Sequence, residues 1–154
     1  MPTVYDVPPG LLIERVKDHL QGEGKIKPPE WAPFVRTGGH TEKAPTQKDW
    51  WYRRVAAVLR KVYIHGPVGS TRLAAEFGGR RDDGSAPYHP VRGSRSIARE
   101  AMQQLEAAGY LSKVEKRGRT ISAQGRKLLD GLATQLLKEL AKENPELTKY
   151  MGGR

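Results

Sequence analysis

The chain has 154 residues and a formal net charge of +10, from 27 Lys and Arg against 17 Asp and Glu. With 37% apolar residues, no cysteine and no long uncharged apolar run, it has the size of one domain and excludes disulfides, thiolate metal sites and a membrane-spanning helix. The first residues, Met1 to Asp6, lack the basic start and apolar stretch of a secretory signal, so an intracellular protein that meets a polyanion is expected.

Leu11, Leu12, Val16 and Leu20 recur at helical spacing after Pro8-Pro9, which predicts a helix over 8–21 stopped by Gly22. Residues 22–48 hold eight Gly and Pro and read as an irregular connector. Trp31, Phe34 and Val35 are expected to pack it onto the core, and Arg36 and Lys43 offer a basic strap as the functional alternative. Asp49 is placed to cap a helix running to about Ile64. Trp51, Val55, Val58, Leu59 and Val62 share its inner stripe, with Arg53, Arg54, Arg60 and Lys61 opposite. Ser70 is expected to cap a short helix from Thr71 to Phe77. Residues 78–93 then read as a Gly-, Arg- and Pro-rich loop. Ser94 or Ser96 caps the next helix, whose inner face is Ile97, Ala101, Met102, Leu105 and Ala108 and whose stop is Gly109. Tyr110–Glu115 and Arg119–Ser122 flank Lys116-Arg117-Gly118 as a short hairpin with a basic tip. Ser122 caps a long helix to about Asn144, ended by Pro145, and residues 146–154 are expected to fray.

This order predicts a mainly α fold, a variant winged helix-turn-helix of about five helices with a β-hairpin wing, in one domain over 1–145. Trp50, Trp51, Val55, Leu59, Ile97 and Leu105 form its expected core. The charge is concentrated in the middle: residues 36–99 carry 13 basic and 5 acidic side chains. A cluster of that kind collects phosphates, and nucleic acid is a better partner for it than an acidic membrane. The sixteen residues between the two central helices exceed the usual turn of about 3–4 residues. Such a loop suits the irregular surface of RNA better than a regular groove, and Tyr88 and His89 either stack on a base or seat the loop on its own domain.

Four passages carry a family likeness in this order: Trp50-Trp51-Tyr52-Arg53-Arg54, Tyr63-Ile64-His65-Gly66-Pro67-Val68-Gly69, Gly78-Gly79-Arg80-Arg81, and Arg92-Gly93-Ser94-Arg95-Ser96-Ile97-Ala98-Arg99. With Ile26-Lys27-Pro28-Pro29-Glu30-Trp31 and Gln103-Gln104-Leu105-Glu106, they make the whole chain resemble small-subunit ribosomal protein number nineteen of the archaeal and eukaryotic set, the eS-nineteen family. The absence of cysteines and of a long eukaryotic-style extension fits an archaeal member. The resemblance implies a cytoplasmic, ribosome-associated protein, monomeric within the ribosome. It would bind small-subunit rRNA of the head, the 3′ major domain, beside neighbouring head proteins, and assist subunit maturation. It also implies that the basic patch falls on Arg54, Arg60 and Arg99 and on the loop bearing Arg80, Arg81, Arg92 and Arg95, with Trp50 in the core. Asp82-Asp83 departs from the eukaryotic loop.

The expected RNA contacts are thus Arg54, Arg60, Arg80, Arg81, Arg92, Arg95 and Arg99, followed by Lys61, His89, Ser94, Lys116, Arg117 and Arg119. For the wing tip, simple solvation is the stronger reading. No cofactor, metal or small-molecule substrate is expected. The four histidines lack metal-ligand spacing, and no P-loop, HExxH or Ser–His–Asp arrangement occurs, so an enzyme is the weaker alternative. The other alternative is a winged-helix DNA-binding regulator reading bases through Gln103 and Gln104.

Overall fold

The computed structural model describes residues 1–152. The first helix, α1 (Pro9–Glu23), begins at Pro9 and buries Leu12, Val16 and Leu20. It runs two residues past the expected end. Gly22 lies inside its last turn, and Gly24, at φ 75°, supplies the left-handed residue that stops it.

The connector is held by Ile26 and Ala32, both buried, and by the half-buried Val35. A 3-10 turn spans Ala32–Phe34. Phe34 contradicts the expected packing: it is 84% exposed. Trp31 is 36% exposed and meets Trp51 edge-on at 5.7 Å. The 3-10 turn that buries Ala32 leaves Phe34 pointing outward. Farther on, the Ser94 N–H donates to the Thr37 carbonyl at 2.9 Å, and Gly38 bridges Gly93.

Helix α2 (Trp50–His65) buries Trp50, Trp51, Val55, Val58, Leu59 and Val62. Asp49 precedes it but makes no side-chain cap. Its carboxylate instead accepts from Lys17 Nζ at 2.9 Å and lies 3.6 Å from Arg53. Helix α3 (Ser70–Glu76) starts at Ser70, with Gly69 in the cap position, and buries Leu73 and Ala74. Phe77 just beyond it is half-buried.

Residues 78–93 are a two-stranded ribbon and not a simple loop. Strand β1 (Gly79–Arg81) pairs antiparallel with β2 (His89–Val91), placing Arg81 opposite His89. At its tip, the Asp82 carboxylate accepts from the Gly84 N–H at 2.9 Å. Helix α4 (Arg95–Ala107) is capped by Ser94, whose hydroxyl accepts from the Ile97 N–H, and buries Ile97, Ala101, Met102 and Leu105. Gly109, at φ 86°, turns the chain into the wing.

The wing pairs β3 (Leu111–Val114) with β4 (Gly118–Ile121). Val68, between α2 and α3, exchanges both backbone hydrogen bonds with Arg119 at 3.0 Å and adds a third rung. Helix α5 (Ala123–Glu143) is capped by Ser122 and lays Leu129, Leu136 and Leu137 on the core. The chain then differs from a frayed tail. Asn144 caps a 3-10 turn over Pro145–Tyr150, and Leu147 packs against the core. The last two positions of that expected tail, 153 and 154, lie outside the described residues.

Helices α2, α3 and α4 followed by the β3–β4 wing form a mainly α winged-helix fold, with α1 and α5 added and the β1–β2 ribbon inserted between α3 and α4. Trp51, Val55, Leu59, Ile97, Leu105 and Leu129 belong to a single buried cluster. No helix among the described residues is long and apolar enough to cross a membrane.

Candidate nucleic-acid interface

Cationic side chains are displayed from three places. On α2, Arg54 lies over the Phe77 ring, its guanidinium carbon 4.4 Å from the centroid. Burial holds the Arg54 pKa below its ordinary value. Neither Arg54 nor Arg60 has a carboxylate within 4 Å among the described residues, and Arg60 Nε is buried without a hydrogen-bond partner. Lys61 is committed elsewhere: its ammonium pairs with Glu76 at 2.9 Å. That pair ties α2 to α3, and it holds the Glu76 carboxyl below its usual range.

The ribbon is the second place. All residues from Arg81 to Pro90 are exposed, and so are Arg80 and Arg92. Neighbouring strand residues point to opposite faces, so Arg80 and Arg81 serve different sides of the ribbon. Arg81 lies 3.3 Å from Asp83, so one of the two unexpected carboxylates neutralises the arginine beside it. Tyr88 is 55% exposed and His89 is exposed, which rules out the alternative in which they seat this segment on the domain.

The third place is the start of α4. Arg95 and Arg99 are exposed. Arg99 shares a shallow depression with Arg36, Ser96 and Trp31, so the structure brings the connector's arginine to the helix start. Ser94 stands there too, but its hydroxyl is occupied as the cap and its N–H is held by Thr37.

The wing contributes less. Lys116 and Arg117 are exposed at its tip. Arg119 is turned inward, its Nε donating to Glu106 at 2.5 Å, and only 19% of its side chain is exposed. The ion pair joins β4 to α4, because Val68 fixes the Arg119 backbone and aims the side chain at that helix. Sequence spacing did not mark Arg53 as part of any site. Its i,i+4 relation to Asp49 was the available signal, and its second partner, Glu14 on α1, is visible only in three dimensions.

Gln104 has an internal role. Its amide oxygen accepts from the Trp51 indole N–H at 3.1 Å, and its amide nitrogen donates to the Lys27 carbonyl at 2.8 Å. It is therefore not free to read a base edge. Among the described residues, no three His, Asp or Glu gather as metal ligands.

The molecule is thus a winged-helix protein whose unneutralised guanidinium groups lie on α2, on the inserted ribbon and at the start of α4. A sequence model of the family described as ribosomal protein S19e matches residues 3–139. The small ribosomal subunit protein eS19 of Aeropyrum pernix is 46% identical over 153 residues, covering 98% of this chain and all of that one. Its namesake in Thermoplasma acidophilum is 45% identical over 151 residues, with the same coverage. The protein eS19A of Schizosaccharomyces pombe is 40% identical over 137 residues, 89% of this chain and 95% of that one. The chain belongs to the ribosomal protein S19e family.

Proposed function

We propose that the protein is a structural constituent of the small ribosomal subunit that binds rRNA of the head, in the 3′ major domain, and assists maturation of the subunit. In this reading it acts in the cytoplasm as a ribosome-bound monomer, beside other head proteins and without catalysis. The observation that carries the reading is the set of arginines with no internal carboxylate, on α2, on the ribbon and on α4. Exposed charge on a lone helix is worth little. Charge held on three elements of one rigid core meets many phosphates at once, and each contact releases a condensed cation. Arg54, Arg60, Arg80, Arg92, Arg95 and Arg99 are the primary contacts, with Arg81 shared with Asp83. Lys116 and Arg117 are secondary. Lys61, Ser94 and Arg119 serve the fold first.

The rival reading, a DNA-binding regulator, is disfavoured by two features. The chain joins the two helices through a sixteen-residue ribbon where a groove-reading unit has a short turn, and Gln104 is spent on Trp51. Sucrose-gradient sedimentation of cell extract tests the proposal. Co-migration with small subunits and their precursors, retained in moderate salt, is expected. Recovery at the top of the gradient in low and high salt overturns it.

A further inference from the structure

A cleft of about 500 Å³ opens between α1, the connector and α2. That volume is within the roughly 300–1,000 Å³ of small-molecule sites. Its lining includes apolar Ile13, Trp50, Ala57 and Phe77. Among these stand the cations Lys43, Arg53 and Arg54, the two arginines on the same face of α2 as Trp50 and Ala57. Among the described residues the only carboxylate lining it is Glu14, which is already engaged by Lys17 at 3.1 Å and Arg53 at 3.1 Å.

Arg54 at this cleft is under-satisfied. Arg53 is already paired with Glu14 at 3.1 Å and Asp49 at 3.6 Å, and only its buried Nε lacks a hydrogen-bond partner among the described residues. Arg54 is half-buried on Phe77 with no ion pair among the described residues, and burial lowers its pKa. A desolvated guanidinium without an anion is costly, so the fold keeps here a charge that a ligand would neutralise. Phe77 is also the last residue before the ribbon, so the cleft opens at the root of the candidate RNA surface.

We propose that this cleft receives one nucleotide turned out of the bound RNA, its base against Ile13, Ala57 and Phe77 and its phosphate on Arg54 and Lys43. The proposal rests on the RNA-binding reading and deepens it. An acidic side chain would meet the cations but leave the apolar side chains of the cleft wet. A nucleotide covers both, because every base has an apolar face and every phosphate an anionic one.

The test titrates the full-length protein, labelled with 15N, with each of the four nucleoside 5′-monophosphates. Inorganic phosphate at matched ionic strength is the control. The monophosphates are expected to shift the amides of Thr37, Ala57 and Phe77 at millimolar concentration, and phosphate alone is expected to leave Ala57 unmoved. Ala57→Leu fills the cleft without changing charge and keeps a good helix former. It is expected to abolish those shifts and to weaken binding of a 3′-major-domain rRNA fragment roughly tenfold with the salt dependence unchanged. Arg54→Gln provides a second variant should the first fail to fold, and it is expected to lose the shifts as well.

Shifts reproduced in full by inorganic phosphate would overturn the proposal. So would wild-type rRNA affinity in both variants, and that result would leave the broader RNA surface standing. If the unaltered protein fails to bind the rRNA fragment while monophosphates still enter the cleft, the RNA-binding reading falls instead.

Discussion

Trp51 is 1% exposed, sits edge-on to both Trp31 and Trp50, and donates its indole N–H to Gln104. Replacing it with alanine removes a large apolar volume and leaves the Gln104 amide without its donor. Trp51→Ala is expected to cost roughly 3–5 kcal/mol, because the surrounding wall closes only partly over such a cavity. That corresponds to a fall in melting temperature of about 10 °C or more for a domain of this size, and an unchanged melt would place the ring outside the core. The inward stripe of α2 was readable from spacing alone, since Val55, Val58, Leu59 and Val62 repeat at the helical period. The partners of polar side chains were not. Gln104 could have been a base reader, Asp49 a cap and Arg119 a phosphate ligand. Each is instead claimed by a residue distant in sequence: Trp51, Lys17 and Glu106.

Helices and wing were legible as elements, because Gly24, Gly109, Ser94 and Ser122 obey local rules at their ends, even where the stop lies two residues beyond the expected glycine. The β1–β2 ribbon was not legible. Its strands are three residues each, Pro90 sits inside one of them, and neither alternates apolar with polar side chains. What shapes it is close backbone approach at its root. A Cβ on Gly78 would stand 2.3 Å from the Val91 carbonyl oxygen, and one on Gly93 would stand 2.8 Å from that of Phe77. Gly78→Ala must therefore displace backbone, at a cost of roughly 1–3 kcal/mol borne mainly by the ribbon. The expected outcome is faster tryptic cleavage at Arg80, Arg81 and Arg92, with the helical circular dichroism retained. Cleavage at the wild-type rate would show that the ribbon does not depend on this contact.

At the scale of the whole molecule, the question is whether the net charge of +10 acts as a diffuse field or through placed contacts. A diffuse field depends only on the total, so any three arginines removed should weaken rRNA binding alike. Placed contacts depend on geometry. Arg80, Arg92 and Arg99 are exposed and lack carboxylate partners among the described residues, whereas Arg15, Arg53 and Arg119 are paired with Glu139, Glu14 and Glu106. The triple change of Arg80, Arg81 and Arg99 to alanine touches no buried side chain and should leave the helical signal intact. It removes the contacts of Arg80 and Arg99 and the one that Arg81 shares with Asp83, so log K against log salt should flatten by about 1.4–2.7, at roughly 0.7–0.9 per phosphate for two to three contacts. Binding of the rRNA fragment, followed by filter retention from low to moderate salt, measures both affinity and slope. Wild-type affinity and slope in the triple variant would mean that the interface lies elsewhere on the molecule. A loss of affinity with an unchanged slope would mean that these arginines shape the surface without meeting phosphate. Flattening with weaker binding is the outcome required of arginines placed on the RNA.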